Sequence, residues 1–157
     1  MKWMSTKYFT HQGEPSKMTT YQAGALQSSV HRMLQKFCDE TLAPYGITKT
    51  QWLVTGTVLD AGKKGVRLTE LANTLSTTMS YLTNTINLLE SKGILSRISH
   101  DKDERAKMVV VNPRFVPKCT EIEATLRSKL RDSIYSNITP EEFRTYMKVL
   151  YKLSEIK

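Results

Sequence analysis

Cysteine is scarce in this chain: Cys38 and Cys119 are the only two in 157 residues. Two thiols make no disulfide framework, so a packed core has to hold the fold. With 39% hydrophobic residues the chain is one domain's worth of sequence and can bury such a core. No apolar run approaches the roughly 18 residues of a membrane helix. The opening stretch MKWMSTKYFTHQGEPSK lacks the apolar centre of a secretion signal, so a cytoplasmic protein with no membrane attachment is expected. Catalytic groupings are also missing. No Ser/His/Asp set or paired-carboxylate arrangement stands out as catalytic, and GKKG lacks the spacing of a phosphate loop. His31 and Cys38 share a helical face, but two ligands of mixed type are too few for a metal site. The expectation is no enzyme, no metal and no cofactor. Acid, finally, is in deficit: 15 Asp and Glu stand against 23 Lys and Arg, a net charge of +8. A polyanion is then the natural partner, and in cytoplasm that is nucleic acid.

What is present is a series of helices and one β-rich segment. Residues 1–19 show no periodicity and read as an arm. From Thr20 to about Ala43, Leu26, Val30, Met33 and Phe37 form one apolar stripe on a long helix, which ends at APYG. Thr48 and Gln51 have capping-box spacing for a second helix, WLVTGTVLDAG, stopped at Gly62. Val66 is a candidate brief strand. Thr69 is placed to cap a short helix, ELANTL. The stretch from Ser76 to Gly93 is the next helix, with Leu82, Ile86 and Leu89 inward. Then come two β-rich runs, ILSRIS and KMVVVN, as a hairpin. Asn112 before Pro113 has the pattern of an N-cap, and the fifth helix is either bent at Pro117 or begins there. Ile122, Leu126, Leu130 and Ile134 repeat along it. TPEE, from Thr139, is a second capping box that opens a helix carrying Phe143, Met147, Leu150 and Leu153. The asparagine of NIT matches a glycosylation sequon, but Thr139 serves better as a cap.

The fold class that follows is mostly α with a small β-hairpin wing: a winged helix-turn-helix with flanking helices. The expected division is an arm over 1–19, a DNA-binding region over 47–112, and a helical dimerisation region made of 20–46 and 113–157. The wing poses a question. SHDKDERAK, Ser99 to Lys107, carries three acids and three bases, so a strongly basic chain has a neutral loop where it should hold DNA.

The run LTELANTLSTTMSYLTNTINLLESKGILSRISHDKDERAKMVVVNP resembles the MarR family of bacterial transcription regulators. LTELA, LLESKGIL and DERAK carry the resemblance, the flanking helices extend it, and the DER wing is also similar to the SarA branch. The resemblance implies that Asp103 orients Arg105, which enters the minor groove. A carboxylate can fix the planar guanidinium bidentately, which lowers the entropy cost of inserting it. On this reading the wing is neutral because its acids hold its bases in place. The competing reading is a solvated hairpin whose exposed ion pairs contribute about 0–1 kcal/mol each.

On the recognition helix this chain departs from the family, having Asn84 where relatives often carry arginine. Asn84 can bond an adenine edge, and Ser80, Tyr81, Thr83 and Asn87 can touch bases or phosphates, so an A·T-leaning site is expected. The alternative is a merely solvated face. Phosphate contacts fall to Lys63, Lys64, Arg67, Arg97, Lys102 and Lys107, any of which is equally a surface charge. The apolar stripes of the first and last two helices exceed what one chain covers. In the family such helices intertwine into a two-fold homodimer, which would read a pseudo-palindrome on double-stranded DNA. A repressor that occludes a promoter is expected, and the rival is a winged helix that docks a protein partner without specific DNA binding.

The resemblance also implies a small, often aromatic, acidic effector in a crevice between the first, second and fifth helices. Phe37, Tyr45 and Trp52 either line it or are plain core. Some relatives sense peroxides through a helix-one thiol, but a buried free cysteine is usually just a small apolar residue and nothing basic adjoins Cys38, so Cys38 and Cys119 are expected to be plain apolar residues.

Arg105→Ala is expected to weaken DNA binding at least about tenfold, a loss of roughly 1.4 kcal/mol, while leaving the thermal midpoint nearly unchanged. Asp103→Ala is expected to weaken it too, although it removes a negative charge. Tighter binding by Asp103→Ala in a gel-shift titration would mean that plain electrostatics governs the wing.

Overall fold

The computed structural model describes residues 17–100 and 103–156, without the side chains of residue 100 and residues 103–106. The chain divides into two units, with the boundary between Lys49 and Thr50. None of the helices among the described residues is long and apolar enough to cross a membrane.

The first unit is built on α1 (Thr20–Leu42). Thr19 and Gln22 form a reciprocal capping box at its start, satisfying two amide groups that a helix end leaves open. The chain leaves α1 through a 3-10 turn, Ala43–Tyr45, and Gly46 takes φ +71°. That turn brings the Lys49 amide to Asp39, whose Oδ1 accepts its hydrogen at 2.6 Å while Oδ2 accepts from Gln35 Nε2 at 2.9 Å. Cys38, Leu42 and Ile47 are buried. The expected stripe is only partly covered: Val30, Met33 and Phe37 are half-buried, and Leu26 is exposed.

The second unit begins at the second residue of α2 (Lys49–Asp60) and continues through β1 (Val66–Arg67), α3 (Leu68–Thr74), α4 (Met79–Ser91), β2 (Leu95–His100), β3 (Asp103–Val111), α5 (Val116–Ser133) and α6 (Pro140–Ser154). The three strands form one antiparallel sheet in the order β1-β3-β2. Val66 therefore does pair as a brief strand, which makes the wing a three-stranded sheet. The core brings together Leu71 of α3, Leu82, Ile86 and Leu89 of α4, Leu95 of β2 and Val109 of β3, all but fully buried. Burying a side chain of this size contributes roughly 1.5–3 kcal/mol.

Two expected caps are replaced. Thr69 does not cap α3, because β1 runs directly into the helix and Arg67 occupies the N-cap position with no side-chain bond. Asn112 does not cap α5 either. Its Oδ1 accepts from the Arg114 amide at 3.0 Å, and its carbonyl from the Phe115 amide at 2.8 Å, so it closes a turn instead. The helix then starts at Val116 with Pro117 in its first turn, where a missing N–H breaks no ladder bond. At α6 the expected capping box is present: the Thr139 amide donates to Glu142 Oε2 at 2.7 Å and the Glu142 amide to Thr139 Oγ1 at 3.2 Å. The Thr139 amide, and after it the Thr139 hydroxyl, hydrogen-bond the ionised carboxylate and hold the Glu142 carboxyl below its ordinary pKa.

Two turns set the geometry of the helix pair and the wing. Between α3 and α4, Ser76 adopts φ +49°, and the Thr77 amide reaches back to the Ala72 carbonyl at 3.0 Å. Before β1, Gly65 has φ +71°, and a Cβ there would lie 2.7 Å from the Val109 carbonyl oxygen and 2.8 Å from Val110 Cγ1. Gly65→Ala combines a disfavoured φ with that collision against the neighbouring strand. It is expected to destabilise by at least roughly 1–3 kcal/mol. Ser76→Gly should act in the opposite direction. It relieves a left-handed penalty of roughly 1–2 kcal/mol, offset by about 0.5–1 kcal/mol of glycine backbone entropy. Urea unfolding of both variants checks the pair, and equal signs would contradict it.

Candidate nucleic-acid interface

The outward face of α4 follows from its inward one. With Leu82, Thr85, Ile86 and Leu89 buried, helical geometry turns Ser80, Asn84, Asn87 and Ser91 the other way, and all four are exposed. Tyr81 and Leu88 flank this stripe on one side, exposed by 50% and 44%. Thr83 and Glu90, both half-buried, flank it on the other.

Several polar groups on α4 are already engaged. Thr83 donates its hydroxyl to the Met79 carbonyl at 2.7 Å, Thr85 to Tyr81 at 3.0 Å and Ser91 to Leu88 at 2.7 Å. Thr83 thus sits off the stripe with its hydroxyl donor used within its own helix. Among the described residues, Ser80 and Asn84 have no side-chain hydrogen-bond partner, which leaves both available to a ligand.

Asn87 and Arg97 are brought together. After α4 the chain turns at Gly93 (φ +71°), where the Ile94 amide bonds the Leu89 carbonyl at 2.9 Å. β2 then returns beside the helix. The Arg97 guanidinium donates from Nη1 to Glu90 and from Nη2 to Asn87 Oδ1 at 2.9 Å. Arg97 was expected as a phosphate contact, and here both of these nitrogens serve intramolecular acceptors. Sequence reasoning did not find Glu90, because its pairing depends on the intervening turn. Ser91 it could have found, since it continues the spacing of Ser80, Asn84 and Asn87.

The remaining cations gather beside the sheet. Lys63 and Lys64 lie in a 3-10 turn, Gly62–Lys64, and Arg67 ends β1 opposite Met108, next to Lys107 on β3. All four are exposed, and none has an ion-pair partner among the described residues. On α5, Lys118 pairs with Glu121, Arg127 with Glu123 and Arg131 with Asp132, while Lys129 has no ion-pair partner among the described residues. Lys102 lies outside the described residues, as do the side chains of Asp103 and Arg105, so the expected pinning of the wing arginine falls outside what is described. The backbone of Asp103 and Arg105 is in β3.

The candidate effector residues fall in both units. Phe37 and Tyr45 are half-buried in the first. Trp52, in the second, is buried and lines a cleft of about 740 Å3 between α2 and α5, together with Cys119, Glu123 and Arg127. Both thiols are buried, and desolvation raises their pKa values, which disfavours the thiolate form.

A sequence model described as the MarR family matches residues 47–107. Among solved structures, a mutant of E. coli MarR complexed with operator DNA is similar at 24% identity and a TM-score of 0.76, covering 87% of this chain and 99% of that one. The S. aureus MepR–DNA complex is similar at 20% identity and a TM-score of 0.74, with 89% and 100% covered. CouR from Rhodococcus jostii, bound to p-coumaroyl-CoA, matches at 17% identity and a TM-score of 0.76, with 90% and 97% covered.

Proposed function

We propose, from the match of residues 47–107 to the MarR-family model, that this protein is a sequence-specific, DNA-binding transcription regulator of the bacterial cytoplasm. It binds double-stranded DNA as a homodimer and represses by occluding a pseudo-palindromic operator. One observation carries the reading. The second helix of a tightly turned pair is locked by its buried edge and presents unpartnered Ser80 and Asn84 outward, and unpaired cations lie on the wing sheet and the turn that packs on it. A 13-residue helix is about 20 Å long and fits a major groove. Similarity to two proteins solved on DNA supports the same reading.

In this proposal Ser80, Asn84 and Asn87 face bases, and Tyr81 lies at the edge of the groove. Lys63, Lys64, Arg67, Lys102 and Lys107 neutralise phosphates, and Asp103 positions Arg105 in the minor groove. The region over 47–112 binds DNA, while 20–46 and 113–157 form the dimer. The α2–α5 cleft lined by Trp52 is the candidate site for a small acidic effector; CouR, similar in fold, was solved bound to p-coumaroyl-CoA.

Dimerisation is supported by what the single chain leaves open. α6 has no buried residue, and Met147, Leu150 and Leu153 are exposed by 46%, 42% and 56%. Monomers seldom leave apolar patches larger than a few hundred Å2 exposed.

Selection from a random duplex pool, followed by salt-titrated shift assays, tests the function. Asn84→Ala is expected to cost roughly 1–3 kcal/mol on the selected site and little on random DNA. Lys63→Ala should weaken all sequences alike and make the logarithmic salt dependence shallower by about one. If the unmodified protein selects no motif, the rival reading of a protein-docking winged helix takes over. Leu150→Glu is expected to abolish the dimer and operator binding together. A monomer in sedimentation at micromolar concentration that still holds the operator at full affinity would overturn the assembly.

A further inference from the structure

Two asparagines face outward on α4, and their amides are not equivalent. Asn84 has no partner among the described residues, so its amide can turn either end outward. Asn87 is held. Arg97 Nη2 lies 2.9 Å from Asn87 Oδ1, while Arg97 Nη1 is bonded to Glu90. A guanidinium only donates, so the atom of Asn87 that faces it has to be the oxygen. The amide nitrogen, a donor of two hydrogens, is thereby turned away from Arg97. Arg97 and Glu90 are about three-quarters buried at their side chains (25% and 26% exposed), so the bond that holds Arg97 is screened less than a surface pair.

We infer that Glu90 and Arg97 are positioning residues that make Asn87 a donor-only reader, one that selects a keto base in each half-site of the operator. The inference rests on the DNA-binding reading proposed above. In the major groove guanine offers O6 and N7 and thymine offers O4, all acceptors. Cytosine offers the N4 amino donor, which an outward amide nitrogen cannot satisfy. Adenine offers N7 beside the N6 amino donor, and the usual bidentate asparagine–adenine pair needs the amide oxygen that Arg97 occupies. Asn84, with both ends of its amide available, remains the residue suited to adenine. The wing strand β2 therefore acts on base choice through the helix, without touching a base itself.

The test is selection from a random-sequence duplex pool with the full-length protein, followed by single-base replacements in the selected site. The unmodified protein is expected to prefer guanine or thymine over cytosine or adenine at one position per half-site by at least about fivefold. Asn87→Asp keeps an oxygen for Arg97 but turns an acceptor outward. It is expected to reverse that preference towards cytosine or adenine, whatever happens to overall affinity. Arg97→Met releases the amide, and the preference at that position is expected to fall below about twofold, with the other positions unchanged. A purely structural Arg97 would lower the melting temperature or weaken every position alike, and it would leave the motif intact. Should Arg97→Met fail to fold, Asn87→Asp carries the test, because its side chain is exposed. Keto preference retained in Asn87→Asp overturns the inference while leaving the DNA-binding function standing. No selected motif for the unmodified protein overturns both.

Discussion

The buried edge of α4 is the constraint on which the candidate interface depends. Leu82, Ile86 and Leu89 are fully buried in a core shared with Leu71 of α3 and Val109 of β3. A helix held on one edge by three such side chains cannot rotate about its axis without exposing them, at roughly 1.5–3 kcal/mol each. Its opposite edge is consequently fixed as well, and that edge carries Ser80, Asn84, Asn87 and Ser91. The left-handed Ser76 sets where α4 begins, and Gly93 sets how β2 returns beside it. The polar face is thus a product of apolar packing.

In the proposed complex, recognition and attraction are separate tasks. The outward stripe of α4 is uncharged, and hydrogen-bonding groups there can discriminate between base edges. Lys63, Lys64, Arg67 and Lys107, without ion-pair partners among the described residues, lie at the wing sheet, where a phosphate backbone would pass in the proposed complex. The charged pairs on α5 are exposed and close in sequence, such as Arg127 with Glu123, and pairs of that kind contribute little to stability. At Arg131 and Asp132 the pairing lowers the carboxylate's pKa and raises that of the guanidinium, as mutual hydrogen bonding requires. Their partners take these cations out of the pool available to a polyanion.

α6 shows how little of an amphipathic helix one chain has to cover. The Thr139 capping box starts it, and a tilted contact between the Tyr135 and Phe143 rings, 4.6 Å apart, marks its first turn. Beyond that turn its apolar side chains stay largely in solvent. Local capping settles that the helix forms and where it begins, but it supplies no partner for the apolar face. The proposed second copy is what would supply one.

Much of this protein was legible in its sequence because the deciding forces are local. The period of Leu82, Ile86 and Leu89 determined the inner edge of α4, and with it the outward positions. The Thr139–Glu142 spacing determined a helix start, Gly93 a stop, and Val66 a short strand. Where a local pattern competed with chain connectivity, the tertiary structure decided. Thr69 lost its cap because β1 feeds straight into α3, and Asn112 closes a turn because Pro117 requires the helix to begin beside it. The apolar stripe of α5 was read correctly in phase, but only the packed chain settles that Ile122 and Leu126 are buried while Leu130 and Ile134 are half-covered. Arg97 is the clearest case. From sequence it was one cation among several, and nothing local distinguishes it from Lys63. Its bonds to Glu90 and Asn87 arise because a turn lays β2 against α4, joining groups that hydrophobic periodicity cannot relate. Hydrogen bonds across elements depend on angstrom-scale placement, and that is set by how the whole core packs.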